Sequence, residues 1–366
     1  MPNKILIIGG TFNKKGGIES LTESIFKCID KSRSHVTLLG LYDGYYKSNS
    51  QVKIFNSLIL FLLKNNIFPT RFKIFFIKTL GSYYIGKQKF DIIIFNHIHL
   101  WNLYNFKPKK KSIVWFHGRE IWGMSKDEVI KKPNFEAVSV SHFTDKKIRS
   151  LFPNLQRHHI IHPPVDTNFF KPLNNPINNN GNILFVGRLN KDVEYKGLGI
   201  LLEAISDIKN KGKNIGLTVV GDGDNSKYYK QLAIKLGIDK KVLFKKNLTK
   251  AELLEEYQNC LCFAMPSIGD GYNEGEGFGI VFIEAQSCGK IVITGTGGGS
   301  DDTIIKDITG YSVNNVDQLT KAIEIIHDLI SCQKDTSRAI ICREFVLDNF
   351  SIDQFKFELN NLIQCN

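Results

Sequence analysis

An α/β protein of two domains is the fold class that the sequence predicts, and three observations lead to it. Strand-like apolar runs alternate with helical patterns from the first residues onward. The polar stretch Asn174–Gly181 separates this series from a second one of the same kind. The 366 residues, 42% hydrophobic and 23% charged, are enough for two domains of about 150 residues each.

The first series predicts a mainly parallel sheet, because strands that alternate with helices are joined by crossover connections. Helical patterns lie between the strands, including Gly17–Ile29 and His142–Leu151. The predicted strands are Lys4–Ile8, Val36–Leu39, Asp91–Phe95, Ile113–Phe116, Ala137–Val140 and His159–Ile161.

Pro163-Pro164 and the Asn-rich stretch that follows are typical of a linker. We place the first domain at 1–172, completed by a C-terminal helix at 345–366, and the second at 173–344. A hinge between two such domains would set a cleft at the carboxyl ends of both sheets, where ligands bind in α/β folds. The second series predicts the strands Ile183–Val186, Leu217–Val220, Val242–Phe244, Leu261–Ala264 and Ile291–Thr294, the helices Leu198–Ile208, Lys227–Leu236, Ala251–Gln258 and Ile280–Cys288, and helical structure over Val316–Ile363.

The composition argues against several classes of protein. No run of 18 or more apolar residues occurs, so we do not expect a transmembrane helix. The opening apolar run is too short, and too soon interrupted by Gly9-Gly10, for a secretion signal. The seven cysteines are scattered without a CxxC pair, which argues against a disulfide framework and against a zinc site. We therefore expect a cytoplasmic protein.

The net charge of +12 is unevenly distributed. Between Asp43 and Asp91 the chain carries eight basic residues and no acidic one, interleaved with phenylalanines. Such a stretch, 44–90, is typical of a surface that rests on the anionic inner face of the cell membrane. It is also typical of two helices that pack on a sheet with their lysines in solvent. No recognised binding motif for nucleic acid accompanies the charge, so DNA or RNA is not an expected partner.

The segment Glu276–Glu284 is the most informative stretch for function. Two glutamates flank a Gly-Phe-Gly sequence and an apolar run. Phe278, Val281 and Phe282 recur at helical spacing, and Gly289 is a suitable C-terminal stop. If one helix spanned both glutamates, they would lie about 12 Å apart along its axis, too far for an acid/base pair. This arrangement suits a long ligand held at both ends, with an anion at the helix N-terminus between them, and a nucleotide-sugar has that layout.

Two further segments could contact an anion. The loop 9–19 contains Gly16-Gly17, which let backbone N–H groups approach a phosphate or a sugar closely. This loop is not GxGxxG, and a tight strand-to-helix turn explains it equally well. Arg188 at a strand end and Lys196 before a helix can both face the cleft, where two cations could neutralise a diphosphate leaving group.

Together these motifs resemble the retaining glycosyltransferases of the two-Rossmann-domain type (GT-B, glycosyltransferase family 4-like), which include many bacterial cell-surface polysaccharide enzymes. The resemblance extends nearly end to end, and the two glutamates in their Gly-Phe-Gly context are its most specific part. It implies two Rossmann-like doubly wound domains that face each other across a cleft. The matching segments are Gly16-Gly17, Val140–Phe143, Pro163–Asp166, Gly187–Leu189, Lys196-Gly197, Val220–Gly223 and Glu276–Glu284.

The resemblance implies a role for each matched residue. Arg188 and Lys196 would bind the donor diphosphate, Glu276 the sugar hydroxyls, and His117 would lie near the transferred sugar. His97 and His99 are interpreted as structural. Further implied contacts are Gly16 and Gly17 over the phosphate, the backbone of Phe278, Gly279 and Ile280 to sugar or phosphate, Glu284 to the ribose hydroxyls, and Leu248 within 246–248 near the base.

The implied activity is transfer of a hexose from a UDP- or GDP-sugar to a lipid-linked or cell-surface glycan with retention, without a bound metal or other cofactor. No carboxylate is clearly placed as a nucleophile, which favours same-face displacement, in which the leaving phosphate helps to take the acceptor proton. A nucleotide-sugar epimerase on the same double fold is the alternative, and a non-catalytic nucleotide-sugar binder is the third hypothesis.

The chain departs from the family pattern at two places. Gly298–Asp302 stands where Gly-Gly-x-Pro-Glu is common, so Asp302 keeps a carboxylate without the rigid proline. Asp301-Asp302 is not interpreted as a metal site, because the family generally needs none. The spacing from Arg188 to Lys196 is longer than usual, which leaves Lys191 as an alternative ligand of the diphosphate.

Overall fold

The computed structural model describes residues 2–10, 16–40, 46–48, 79, 82–101, 111–122, 124, 134–173, 181–269, 275–331 and 336–364. The chain divides into one unit of Met1–Pro164 with Ile352–Asn366 and a second unit of Val165–Ser351. The division lies at 165 and not at the expected 173, because backbone contacts tie 165–170 to the second unit. Val165 N–H donates to the Phe350 carbonyl at 2.9 Å, and Arg343 donates to the carbonyls of Thr167 and Phe170 at 3.0 and 3.1 Å. The greater part of the expected linker, 174–180, lies outside the described residues.

The strands of the first unit are β1 (Asn3–Gly9), β2 (Ser34–Gly40), β3 (Tyr46–Ser48), β4 (Ile92–Phe95), β5 (Lys111–Phe116), β6 (Glu136–Ser139) and β7 (His158–Ile160). They form a sheet in the order β3-β2-β1-β4-β5-β6-β7, in which β3 is antiparallel to β2 and the other neighbours are parallel. The six predicted strands are present with ends that differ by at most two residues, and β3 was not predicted. Ile5 to Ile8 are fully buried, which accounts for the uninterrupted apolar run of a strand covered on both faces.

The helices of the first unit include the C-terminal segment of the chain. Ser141 caps the helix after β6, because its hydroxyl accepts the Thr144 N–H at 3.2 Å. The C-terminal helix, Ile352–Gln364, packs Phe355 against Trp115 on β5. It begins seven residues later than the expected 345. The other helices are α1 (Gly17–Cys28), α2 (Ser82–Lys87), α3 (Ile98–Trp101) and α4 (His142–Leu151).

The strands of the second unit are β8 (Asn182–Val186), β9 (Gly216–Val220), β10 (Val242–Lys245), β11 (Phe263–Met265), β12 (Val292–Gly295) and β13 (Gly310–Val313). They form a parallel sheet in the order β10-β9-β8-β11-β12-β13. The order reverses between β8 and β11, as it does between β1 and β4 in the first unit. Each sheet is thus doubly wound, and ligands of such sheets bind beyond the carboxyl ends of the strands at the reversal.

The helices of the second unit decide whether the two glutamates share a helix. Glu276 does not belong to the helix of Glu284, because that helix begins at Ile280, after Gly279 in a left-handed conformation (φ 90°). Its C-terminal end is a Schellman motif, in which the N–H groups of Gly289 and Lys290 donate to the carbonyls of Gln286 and Ala285. The helices are α5 (Leu198–Asn210), α6 (Ser226–Lys235), α7 (Lys250–Asn259), α8 (Ile280–Ser287), α9 (Val316–Ser331) and α10 (Thr336–Phe350), with 3₁₀ turns at Lys191–Lys196, Asp239–Lys241 and Gly299–Thr303.

The described residues bear on two features predicted from composition, the basic stretch 44–90 and the absence of a membrane-spanning helix. Most of the basic stretch 44–90 lies outside the described residues, which include 46–48, 79 and 82–90 of it. None of the helices in the described part of the chain is long and apolar enough to cross a bilayer.

Candidate functional site

The loops after β8 and β9 meet at the carboxyl edge of the second sheet. The Gly187 N–H donates to the Val220 carbonyl at 3.0 Å, and a Cβ at Gly221 would overlap the Gly187 carbonyl oxygen. This contact between backbones holds the Gly187-Arg188 turn at the strand reversal. The Arg188 side chain is exposed there and has no hydrogen bond or ion pair to another described residue. Its cation is therefore available to an anionic ligand.

An ion pair joins two of the predicted site residues. Lys196 Nζ lies 2.8 Å from Glu276 Oε2, and the two side chains are only 15% and 16% exposed. Met265 Sδ at the end of β11 lies 3.6 Å from the same nitrogen. An ammonium carries three N–H donors, so Lys196 keeps one for a further acceptor such as a phosphate oxygen.

The residues between Arg188 and Lys196 form a 3₁₀ turn that is anchored to the loop after β9. The Lys191 N–H donates to Asp224 Oδ1 at 2.9 Å, and Asn225 Nδ2 donates to Glu194 Oε1 at 2.7 Å. The turn accommodates the longer spacing and still places Lys196 beside Glu276. The Lys191 side chain, by contrast, is exposed.

Glycines fix the position of Glu276 through its backbone. The Gly299 N–H donates to the Glu276 carbonyl at 2.7 Å, and a Cβ at Gly298 would approach that oxygen to 2.7 Å. The Gly-Gly half of the divergent motif thus supports Glu276 directly, although the proline of the family pattern is absent. Asp301 and Asp302 follow in the 3₁₀ turn.

The N-terminus of α8 lies beside the Glu276 carboxylate. A Cβ at Gly279 would come within 3.3 Å of Glu276 Cγ, and no side chain caps the helix. The Phe278 ring is buried (3% exposed) against Phe350, so this residue offers a ligand its backbone alone. Backbone N–H groups at a helix start favour an anion, and the first turn of α8, from Ile280, offers such groups.

Glu284, on the second turn of α8, has an unusual environment for a carboxylate. It is partly buried, and burial raises the pKa of Glu284 to about 7. The Tyr257 hydroxyl donates to Glu284 Oε2 at 2.8 Å, which opposes that rise, as does the charge of Lys250. Burial thus favours the protonated form of Glu284 more than is usual for a carboxyl group.

This raised pKa predicts a pH-dependent stability. Because folding raises the Glu284 pKa above its ordinary 4.5, the folded state holds the proton more tightly. The resulting stabilisation is complete below about pH 4.5, is lost as the pH rises through about 7, and amounts to at most about 3 kcal/mol. We expect the free energy of unfolding of the wild type, relative to Glu284→Gln, to fall by up to this amount between pH 4.5 and 8 in urea denaturation. A pH-independent difference between the two proteins would contradict the assignment.

Leu248, predicted near a nucleotide base, lies between β10 and α7. It is half-buried. The next residue, Thr249, forms a capping box with Glu252 at the start of α7, so the loop is held in place. The structure thus puts Leu248 at the carboxyl end of its strand, on the same edge of the sheet as Arg188.

In the first unit, Gly16 and Gly17 form the N-terminal end of α1. A Cβ at Gly16 would lie 2.8 Å from Glu19 Oε2, so the Glu19 carboxylate covers this end of the helix. An anion that binds these glycines has to displace or share that carboxylate, a feature that the sequence analysis did not consider.

His117 follows β5 and is held as a neutral imidazole. Its Nε2 lies 2.8 Å from the Asn96 carbonyl and therefore donates to it, which leaves Nδ1 as an acceptor. Burial lowers the pKa of His117 to about 4. The ring of His97 stacks 6.4 Å away, and burial lowers the pKa of His97 to about 4 as well. His97 and His99, interpreted from sequence as structural, therefore lie in one group with His117.

Comparison with known proteins finds a family model and solved structures that are similar to this chain. Residues 167–341 match the family model described as "Glycosyl transferases group 1", which covers nearly the whole second unit. The second unit is thus similar to glycosyl transferases of group 1. The HepE structure from Anabaena with UDP and glucose aligns over 99% of both chains with a TM-score of 0.71 at 18% identity. Sucrose-phosphate synthase from Thermosynechococcus elongatus aligns over 99% and 98% of the two chains with a TM-score of 0.76 at 17% identity. The predicted GT-B type of double Rossmann-like fold is thus confirmed.

Curated relatives match a smaller part of the chain. The GDP-mannose-dependent alpha-(1-6)-phosphatidylinositol monomannoside mannosyltransferase of Mycolicibacterium smegmatis is 28% identical over 224 residues, 58% of this chain and 57% of the relative. The chain spans 57–60% of the length of this and two similar mannosyltransferases.

Several contacts of the site had no signal in the sequence. Tyr257 sits in a helical pattern like any core residue, and Met265 ends an ordinary apolar strand. Only the folded arrangement brings Tyr257 to Glu284 and Met265 to Lys196. The glycine pair at 298–299 was noted from the family pattern, but its contact with Glu276 was not foreseen.

Proposed function

We propose that this chain is a glycosyltransferase that moves a hexose from a nucleotide-diphosphate sugar to a glycan acceptor with retention at the anomeric carbon. The observation that carries the proposal is the Lys196–Glu276 ion pair, which lies beside Gly187-Arg188 and the uncapped start of α8. Cations, a helix N-terminus and a hydroxyl-binding carboxylate are thus close together, as a sugar diphosphate requires. The match of this unit to the group 1 family supports the same conclusion.

Each end of the donor has a proposed partner. Arg188, Lys196 and the N–H groups of α8 would bind the diphosphate, and Glu276 would accept hydrogen bonds from the sugar hydroxyls. The ribose would lie at Glu284 and the base near Leu248. The contacts of Gly16, Gly17 and His117 with the same donor remain predictions from the family resemblance.

We infer a same-face displacement for the chemical step. The bond from the anomeric carbon to the diphosphate oxygen breaks, and the acceptor oxygen bonds to that carbon from the same side. The acceptor proton passes to an oxygen of the departing diphosphate, while Arg188 and Lys196 stabilise its developing charge. Glu276 is paired with Lys196, which supports a binding role for this carboxylate and not that of a nucleophile.

The proposed acceptor is a lipid-linked or cell-surface glycan. The phosphatidylinositol monomannoside in the name of the mycobacterial relative supports a lipid-borne acceptor, and the net charge of +12 is compatible with an anionic surface. We propose that the basic stretch 44–90 contributes to that surface, on the inner face of the cell membrane.

One assay tests these elements together. The protein is incubated with radiolabelled UDP- or GDP-sugars and anionic vesicles that contain a bacterial lipid-glycan extract, with and without EDTA. We expect labelled lipid in the vesicle fraction with one donor, no dependence on added metal, and flotation of the protein with the vesicles at low salt. Release of no nucleoside diphosphate with any donor would contradict the activity. Conversion of the donor to an epimer without acceptor would favour the alternative of an epimerase.

A further inference from the structure

A tyrosine hydroxyl lies beneath the Glu284 carboxylate. Tyr257 on α7 is fully buried (0% exposed), and its hydroxyl donates to Oε2 of Glu284 at 2.8 Å. Glu284 itself keeps partial exposure. In the described part of the chain no other group hydrogen-bonds this carboxylate. The Tyr257 hydroxyl thus holds one carboxylate oxygen of Glu284, and the other oxygen is available to a ligand.

Aromatic packing holds the hydroxyl in place. The Tyr257 ring lies 5.8 Å from Phe170 and 5.9 Å from Phe263, between centroids. Such a buried ring has little freedom to turn its hydroxyl elsewhere. The carboxylate is therefore oriented before any ligand arrives, which lowers the entropic cost of binding.

The hydroxyl also affects the charge of Glu284. The titratable groups that face this carboxylate are Tyr257, Lys250 and Cys288. Burial raises the pKa of Glu284, whereas the hydrogen bond from Tyr257 and the charge of Lys250 lower it. Removal of the phenol would extend protonation of Glu284 to higher pH. A protonated carboxyl has lost the negative charge that makes its hydrogen bonds to hydroxyls strong.

We propose that Tyr257 is a positioning residue for nucleotide binding, whose hydroxyl holds one oxygen of Glu284 so that the other accepts from the vicinal hydroxyls of a ribose. The inference rests on the proposed function, in which Glu284 contacts that ribose. It adds a residue that touches neither donor nor acceptor and acts through Glu284 alone.

Tyr257→Phe tests the inference, because phenylalanine keeps the ring packing and removes only the hydroxyl. The dissociation constants of UDP and GDP are measured by calorimetry between pH 6 and 9 for the full chain. Loss of a hydrogen bond to a charged group should raise the midpoint of the pH dependence by about one pH unit. We therefore expect binding about five- to tenfold weaker than wild type at pH 7 and a smaller residual loss at pH 9, where Glu284 is ionised in both proteins and only its orientation is affected.

The controls separate positioning from packing. Tyr311→Phe removes a hydroxyl that accepts from Arg338 at 3.1 Å, and it should leave nucleotide binding unchanged. In a Glu284→Gln background, Tyr257→Phe should have no further effect that varies with pH. An effect of Tyr257→Phe that is equal at all pH values, or absent, overturns the inference.

Two further outcomes are decisive. If neither UDP nor GDP binds the wild-type protein at any pH, both the proposed function and this inference fail. If the wild type binds a nucleotide but Tyr257→Phe has the same pH midpoint, this inference alone fails. If Tyr257→Phe unfolds at too low a temperature for calorimetry, Tyr257 is replaced by 3-fluorotyrosine. Its hydroxyl is a stronger hydrogen-bond donor and should lower the pH midpoint of nucleotide binding. An unchanged midpoint then overturns the inference.

Discussion

Glu276→Gln is expected to reduce glycosyl transfer at least about 100-fold while the protein remains folded. Glutamine keeps the volume of the side chain and a carbonyl oxygen for Lys196, which lies 2.8 Å from the carboxylate. It removes the charge that would accept hydrogen bonds from sugar hydroxyls. Two such bonds at about 1.5 kcal/mol each correspond to a factor of about 100 in rate. The measurement is kcat/KM for the donor, together with the dissociation constant of the free nucleoside diphosphate, which lacks the sugar and should bind nearly as before.

A second glutamate–lysine pair provides the matched control. Glu324 lies 3.0 Å from Lys211 on the surface of the same unit, with side-chain exposures of 23% and 53%. Glu324→Gln should change transfer less than twofold, because exposed ion pairs contribute little and this one lies away from the loops of the site. Near-normal turnover by Glu276→Gln would remove Glu276 from the mechanism.

Gly197→Ala is expected to lower the stability of the protein strongly. Gly197 has φ 78°, and a Cβ there would overlap the carbonyl oxygen of Pro266. The left-handed conformation costs an L-residue about 1–2 kcal/mol, and relief of the overlap requires movement of backbone. We expect a loss of about 3 kcal/mol, or a melting temperature lower by about 6–12 °C. Since Gly197 follows Lys196, nucleotide binding should weaken in the fraction that folds.

Gly199→Ala, in the first turn of the same helix, is expected to raise the stability of the protein. No heavy atom lies within 4 Å of a Cβ at this position, which belongs to α5. Alanine is favoured over glycine in a helix by about 0.5–1 kcal/mol, so the melting temperature should rise by a few degrees. If both variants lowered stability equally, the conformation assigned to Gly197 would be wrong.

Strands with continuous apolar runs were predictable because burial on both faces leaves a simple pattern. Ile5–Ile8 on β1 and Ile92–Phe95 on β4 are examples. The short edge strand β13 (Gly310–Val313) was not predicted, because its middle residues are only half-buried and its pattern is weak. β3 consists of three residues and was missed for a similar reason.

The candidate site was predictable only as a list of residues. The family resemblance predicted binding roles for Lys196 and Glu276. It did not predict their ion pair, which joins positions 80 residues apart and depends on the tertiary structure. The start of α8 at Ile280 was predicted, and Glu276 lies outside this helix because the left-handed backbone of Gly279 precedes its first turn. The group of His97, His99 and His117 depends on the adjacency of β4 and β5 in the sheet.

Proton NMR of the reaction tests glycosyl transfer with retention directly. The wild-type protein is incubated with the UDP- or GDP-sugar that it binds and with the lipid-glycan extract, and the anomeric signals of donor and product are recorded. We expect one equivalent of nucleoside diphosphate for each new glycoside, with the anomeric configuration of the donor preserved in the product. An inverted product would contradict the same-face displacement. Release of a sugar phosphate with a nucleoside monophosphate would contradict glycosyl transfer itself.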